Sequence, residues 1–311
     1  MLQKKEGVKI DIPEEWGGVI PLEVFIDEAK NLVTKAEEFG VYFRLVGGLA
    51  IRLHVQPHGL ETLYKSLKRL GDEAGAEITD IDGGISYKHM KKMDKFMQKL
   101  GYAKRKPTLS TAASQRRIYI HPKNWWFVDC FYGKMKFNHD IDLDHKRLAL
   151  DSPTLPLAEL LLGKTQIVQM NYKDIADTIM LLIPHKIGFD DEPETINIEH
   201  VGEKYLRKGA YAWGFYHTVT TNLTNIKNVL DEFKELSEDQ RGDVAGKIDK
   251  ISEYFRQLPK NRAWKARAKI GASKRWYRPV ETTESVGEFR IFSGKHLIDR
   301  PTTLENSSQD S

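Results

Sequence analysis

Short apolar runs interleaved with helical stripes fill the first half of this chain, and helical stripes alone fill the second. Over residues 21–39, Val24, Phe25, Ala29, Leu32, Val33 and Ala36 recur at helical spacing. Gly40 follows where the stripe ends, so the pattern predicts a glycine-closed helix. Tyr42 to Val46 reads as a short strand stopped by Gly47-Gly48, and Leu49 to His54 reads as a helix starting on those glycines. Residues 60–70 predict another short helix, Glu77 to Asp82 a second strand, and His89 to Leu100 an amphipathic helix closed by Gly101. Arg117 to His121 and Trp126 to Tyr132 predict two further strands, joined by a turn at Pro122–Asn124.

From Pro156 the period becomes helical. Leu157 to Gln169 predicts one helix, and Asn171 is placed to cap a second that reaches about Ile183, with Pro184 closing it. Residues 200–217 and 223–257 also carry helical patterns, and the tail from about Thr302 is polar enough to predict disorder. No internal repeat is visible. The expected fold class is α+β: a small mixed sheet flanked by helices, followed by a helical C-terminal half. The expected division is an α+β domain over 1–150, a helical domain with a basic C-terminal segment over 151–300, and a disordered tail over 301–311.

A length of 311 residues exceeds what one small core needs, so two domains, or one with a helical extension, is the expectation. Hydrophobic residues make up 40% and charged residues 30%, no apolar run is long enough to span a bilayer, and the N-terminal stretch lacks the apolar segment of a secretory signal. The single cysteine, Cys130, excludes an internal disulfide and a multi-cysteine zinc site. Together these predict a cytoplasmic protein. The net charge of +4 says little until its distribution is seen: Lys260 to Arg278 holds eight Lys or Arg and no Asp or Glu. Trp264, Trp276 and Tyr277 are interleaved with those cations, the composition of a surface that stacks on RNA or a single strand. The alternative is a solvated helix whose tryptophans dock on the body.

The candidate chemistry lies in Thr79-Asp80-Ile81-Asp82, with Gly47-Gly48 upstream and Asp129 downstream. Two carboxylates two residues apart on a strand face the same side, and like charges that close call for a cation. Hard oxygen donors suit Mg²⁺, so Asp80, Asp82 and Asp129 are the expected metal ligands. Gly47-Gly48 between a strand and a helix lets backbone N–H groups approach a phosphate. The expected reaction is attack by an acceptor hydroxyl on the α-phosphate of a nucleoside triphosphate, with pyrophosphate leaving.

Other polar residues carry blander readings. Asp140-x-Asp142-x-Asp144 mimics a calcium loop, but His145 stands where its glycine belongs and Asp151 where its glutamate belongs, so residues 139–146 read as a solvated loop. His54 and His58 offer metal-ligating nitrogens, but the commoner reading is a helical surface or core histidine, and Cys130 reads as a small buried residue rather than a nucleophile. Lys173 and Asp177 have the spacing of a helical ion pair.

Val46-Gly47-Gly48-Leu49-Ala50, His54 beyond it, and Thr79-Asp80-Ile81-Asp82 together resemble the AbiEii-type nucleotidyltransferases of the DNA polymerase β-like superfamily. The likeness continues in order through Lys95–Tyr102, Phe127-Val128-Asp129, Leu160-Leu161-Leu162-Gly163-Lys164 and Lys173-Asp174-Ile175-Ala176-Asp177, covering roughly residues 40–185. The resemblance implies that Asp80 and Asp82 bind Mg²⁺ and Asp129 completes the catalytic site. It implies that Lys164 faces the triphosphate, with Gly47, Gly48, Thr79, Lys173 and Asp174 around the nucleotide. Asp174 and Asp177 would hold the helical half together. The implied acceptor is a tRNA end or a protein side chain, and the implied partner, where members act as toxins, is an antitoxin. One departure stands out: about twenty additional residues, 56–76, separate the glycines from the acidic strand, and Glu77 replaces the family's usual arginine. Two rivals therefore stay open, a catalytically silent nucleotide-binding scaffold of the same fold and an RNA-binding module led by the basic segment.

Overall fold

The computed structural model describes residues 12–17, 20–68, 78, 80–107, 111 and 113–279. Thr79, Glu77, most of the additional stretch beyond Lys68 and the tail 301–311 lie outside the described residues. The protein is α+β: a five-stranded mixed sheet packed by helices, followed by a helical C-terminal half.

Helix α1 (Leu22–Glu38) buries Phe25, Ile26, Ala29, Leu32, Val33 and Ala36, so Ile26 takes the core place expected of the half-buried Val24. After it come β1 (Arg44–Leu45), α2 (Gly47–Val55), α3 (Glu61–Ser66) and β2 (Ile81–Ile85). Helix α4 (Met90–Lys99) leads to β3 (Ala103–Lys104), β4 (Arg116–Ile120) and β5 (Phe127–Tyr132). The sheet order is β1-β2-β5-β4-β3, with only the central β2–β5 pair parallel. The β4–β5 turn falls where expected, with His121 N–H donating to Trp126 O and Asn124 in the left-handed region at φ 58°.

Strand β2 departs from the expected segment. It runs on through Gly83-Gly84 to Ile85 rather than ending at Asp82. The glycines permit this: a Cβ on Gly83 would lie 2.0 Å from the Phe43 ring, and one on Gly84 would lie 2.9 Å from Leu143. Phe43 and Leu143 are buried against bare backbone, each contributing roughly 1.5–3 kcal/mol.

Residues 139–146 are not a loop. Strands β6 (Lys134–Lys136) and β7 (Asp140–Asp142) form a hairpin with Ile141 buried, and Asp144 caps α5 (His145–Leu148) by accepting from Arg147 N–H. Lys134 bridges Asp140 and Asp142, and Lys204 bridges Asp142 and Asp144, so chain cations neutralise the acidic run.

In the second half, α6 (Leu157–Thr165) and α7 (Tyr172–Leu182) pack together, and Asn171 caps α7 as expected by accepting from Asp174 N–H. Two short parallel strands, β8 (Lys186–Gly188) and β9 (Thr195–Asn197), precede α8 (Ile198–Val201) and a π-helical turn at Gly202–Leu206. The expected helices 200–217 and 223–257 are instead α9 (Ala210–Val229) and α10 (Glu238–Gln257). Gly209, at φ 97°, sets the first boundary. Ser237 sets the second, through a capping box with Gln240. Helix α11 (Arg262–Ile270) follows. One apolar core runs unbroken from Phe25 through the sheet to Leu258. No described helix is long and apolar enough to cross a membrane.

Candidate functional site

The parallel register of β2 and β5 sets Asp82 directly beside Asp129. Neighbouring residues on one face of paired strands lie about 5 Å apart, so the two carboxylates are forced together by backbone hydrogen bonding alone. Asp80 sits just ahead of β2 and adds a third negative charge close enough to act on both. Burial, then Asp80, then Asp129 push the Asp82 carboxyl well above the usual carboxylate range. Asp129 is 5% exposed, and its carboxyl is also raised, chiefly by burial.

Arg116 is the residue that the sequence did not single out. It lies on β4 two positions from Ile118, the partner of Asp129, so it occupies the same face on the diagonal. Its guanidinium takes both carboxylate oxygens of Asp129, with Nε 3.2 Å from Oδ1 and Nη2 on Oδ2. The only signal for this in the chain is the strand alternation of Arg116 and Ile118, which becomes informative once the β4–β5 register is known.

Gly47 closes the site from the other side. Its φ of 71° is left-handed, and a Cβ there would sit 3.1 Å from Asp82 Oδ2. Gly47 and Gly48 open α2 with no side-chain cap, which brings the positive end of that helix to Asp82. The adjoining Val46 N–H donates to Asp82 O at 2.9 Å, fixing helix to strand. A cavity of about 230 Å³ opens here, with Gly47, Asp82, Lys164, Lys173 and Asp174 in its wall. Lys173 is close enough to favour ionised Asp82.

Lys164 plays a different part from Lys173. It is 8% exposed, and its ammonium lies 3.2 Å from Asp174 and 2.7 Å from Asp177. Asp177 also accepts from the Tyr64 hydroxyl at 2.5 Å. The three charges tie α6 to α7 and reach α3. Glu159, another carboxylate of the cavity wall, is held by Arg147 at 2.7 and 2.8 Å. Cys130 is fully buried on β5, and burial raises its thiol well above the usual range, so it is a core residue without nucleophilic character.

The basic segment docks through its aromatics. Trp264 Nε1 donates to Leu206 O at 2.9 Å, and Trp276 Nε1 donates to Thr218 Oγ1 at 3.0 Å. Arg267 lies over the Trp213 ring at 4.3 Å, while Arg262, Lys265, Lys269, Lys274 and Arg275 point to solvent.

No protein-family model, curated protein or solved structure matches the chain.

Proposed function

We propose that the chain is a Mg²⁺-dependent nucleotidyltransferase that moves a nucleoside monophosphate from a triphosphate to an acceptor hydroxyl. One observation carries this reading: Asp82 and Asp129 stand side by side on the parallel strands, with Asp80 near and Gly47 at the mouth of α2 beside them. The donor set fits the ion, because three carboxylates supply hard oxygens, and Asp82, raised first by burial and then by Asp80 and Asp129, lies beside two further acids. Asp80 and Asp82 would hold Mg²⁺, with Asp129 completing the set. Bound there, the ion would neutralise charge on the reacting phosphates. Gly47 and the first turn of α2 offer N–H groups to the triphosphate, and Lys173 adds a cation on the same wall. Asp129, oriented by Arg116, takes the acceptor's proton as the new O–P bond forms and pyrophosphate departs with the bonding pair. The cavity is smaller than the roughly 300–1,000 Å³ of a whole-ligand pocket, so the phosphates enter it and the nucleoside lies outside.

The acceptor class left by this reading is a tRNA end or a protein side chain. The solvent-facing cations of residues 262–275 favour RNA, gripped through its phosphates. As a toxin held by an antitoxin, the wild-type chain should arrest growth on induction and Asp82→Asn should not.

A second reading, a nucleotide-binding scaffold without turnover, is favoured by Arg116, which already occupies both oxygens of Asp129. Transfer of α-³²P label from each NTP, with Mg²⁺, onto total tRNA and onto the protein itself separates the two. Label lost in Asp82→Asn supports the transferase. Mg²⁺-dependent nucleotide binding without label supports the scaffold.

A further inference from the structure

The far end of α2 carries a second polar cluster that the nucleotidyl site does not use. His54 in the last turn of α2 and His58 just beyond it meet His185, which follows α7, and Glu194, which precedes β9. One nitrogen each from His54 and His185 and one oxygen from Glu194 all lie within 4.8 Å of one another. The His54 and His185 rings stand edge to face at 5.1 Å.

Each ring is already oriented by its outer nitrogen. His185 is 1% exposed, and its Nδ1 lies 2.6 Å from Leu181 O, so Nδ1 carries a proton and donates it there. Nε2 of the neutral ring then holds a lone pair. Among the described residues it finds no hydrogen-bond partner, yet it lies 3.4 Å from Glu194 Oε2, an acceptor facing an acceptor. His54 Nε2 lies 2.8 Å from Thr154 Oγ1, whose own proton goes to Leu155 O. His54 Nε2–H therefore donates, and Nδ1 keeps its lone pair. Burial lowers the basicity of both rings, which favours the neutral form that ligates metals. The carboxylate is presented under strain: Glu194 has φ 56°, in the left-handed region that glutamate avoids. Its Oε2 is steadied by His58 Nε2 at 2.7 Å.

We propose that His54, His185 and Glu194 bind a zinc ion, with His58 as a positioning residue that holds Glu194 in place. Two imidazoles and one carboxylate suit zinc better than Mg²⁺, and a hydrogen bond behind each imidazole is the usual support that orients such ligands. The ion settles the facing lone pairs of His185 and Glu194, between which the described residues place neither a proton nor a cation. It joins α2 to the β8–β9 connection and so fastens the sheet-bearing half to the helical half.

The test is zinc and cobalt titration of the full chain after chelation, read by metal content, visible absorption of Co²⁺ and thermal unfolding. The expected result is one equivalent bound, a four-coordinate Co²⁺ spectrum and a Tm that rises with zinc. Glu194→Gln, at a half-exposed position that the fold should tolerate, should weaken binding about 100-fold, and His185→Gln should abolish it. His58→Gln should weaken binding about tenfold while keeping the spectrum. Asp82→Asn should leave zinc affinity unchanged, which separates this site from the acidic one. Absence of stoichiometric zinc, or affinity unmoved by Glu194→Gln, would overturn the proposal.

Discussion

The two ends of α2 present opposite chemistries to the same solvent. At its start, Gly47 meets carboxylates whose burial raises their pKa. At its finish, His54 meets a second buried histidine, and burial lowers both. Elsewhere the chain answers buried charge with its own counter-charge: Lys164 between Asp174 and Asp177, and Arg147 on Glu159. The difference teaches how a site is told from a strut. Where a cation lies between carboxylates, as Lys164 does, the cluster is structural. Arg116 holds Asp129 yet leaves Asp82 beside it with its carboxyl raised, and on the proposals above such a like-charged pair is where an ion from outside would enter, with donor type deciding which one.

The largest expected effect breaks the acidic end. Asp82→Asn should reduce nucleotidyl transfer about 10³-fold or more, the several kcal/mol that metal charge stabilisation supplies. Residual transfer within tenfold of wild type in a labelling assay would defeat the transferase reading. Next in size is the strut. Lys164→Met strands two buried carboxylates and should cost about 3–5 kcal/mol in urea unfolding. A loss below about 1 kcal/mol would erase the contrast drawn here.

Gly83→Ala drives a methyl into the Phe43 ring and should destabilise by about 1–3 kcal/mol, measured in the same way. His139 sharpens the comparison as a histidine that needs no ion. It stacks on Phe215 and bonds Thr218, and its pKa falls to about 4, chiefly through burial. A depressed histidine adds stability that is full above its unfolded pKa and lost as pH falls through about 6.5 towards 4. His139→Gln should therefore flatten the acid limb of the stability curve, with or without zinc, and an unchanged limb would count against it. The smallest effect has the opposite sign. The raised Asp82 carboxyl costs stability as pH rises past its unfolded value. Asp82→Asn should accordingly raise Tm by about 1–2 °C at neutral pH in Mg²⁺-free buffer, for a gain of about 1 kcal/mol. A lower Tm there would show that Asp82 is already compensated.

Local signals were legible and long-range ones were not. The α1 stripe, the Asn171 cap and the Pro122–Asn124 turn are written within a few residues, and the structure has them in place. Gly47, Asp82 and Asp129 could be paired because strand-glycine-helix and acidic-strand patterns each carry a mechanism in sequence. The Arg116–Asp129 pair depends on strand register, which no local pattern fixes. The histidine cluster depends on contacts 136 residues apart, between His58 and Glu194, so each residue read singly looks ordinary. The break between α9 and α10 was readable at Ser237-x-x-Gln240, but the helical period on both sides concealed it.

Gly83 and Gly84 have a further consequence for how this chain tolerates change. A saturation scan would show residues 80–84 as one intolerant block, although its two halves fail for unrelated reasons. On the transferase reading, replacements at Asp80 and Asp82 would yield folded chains without activity, whereas replacements at the glycines would yield chains that do not accumulate. Abundance and activity scored together would divide the block between Asp82 and Gly83. On that reading, a single peptide bond separates chemistry from architecture.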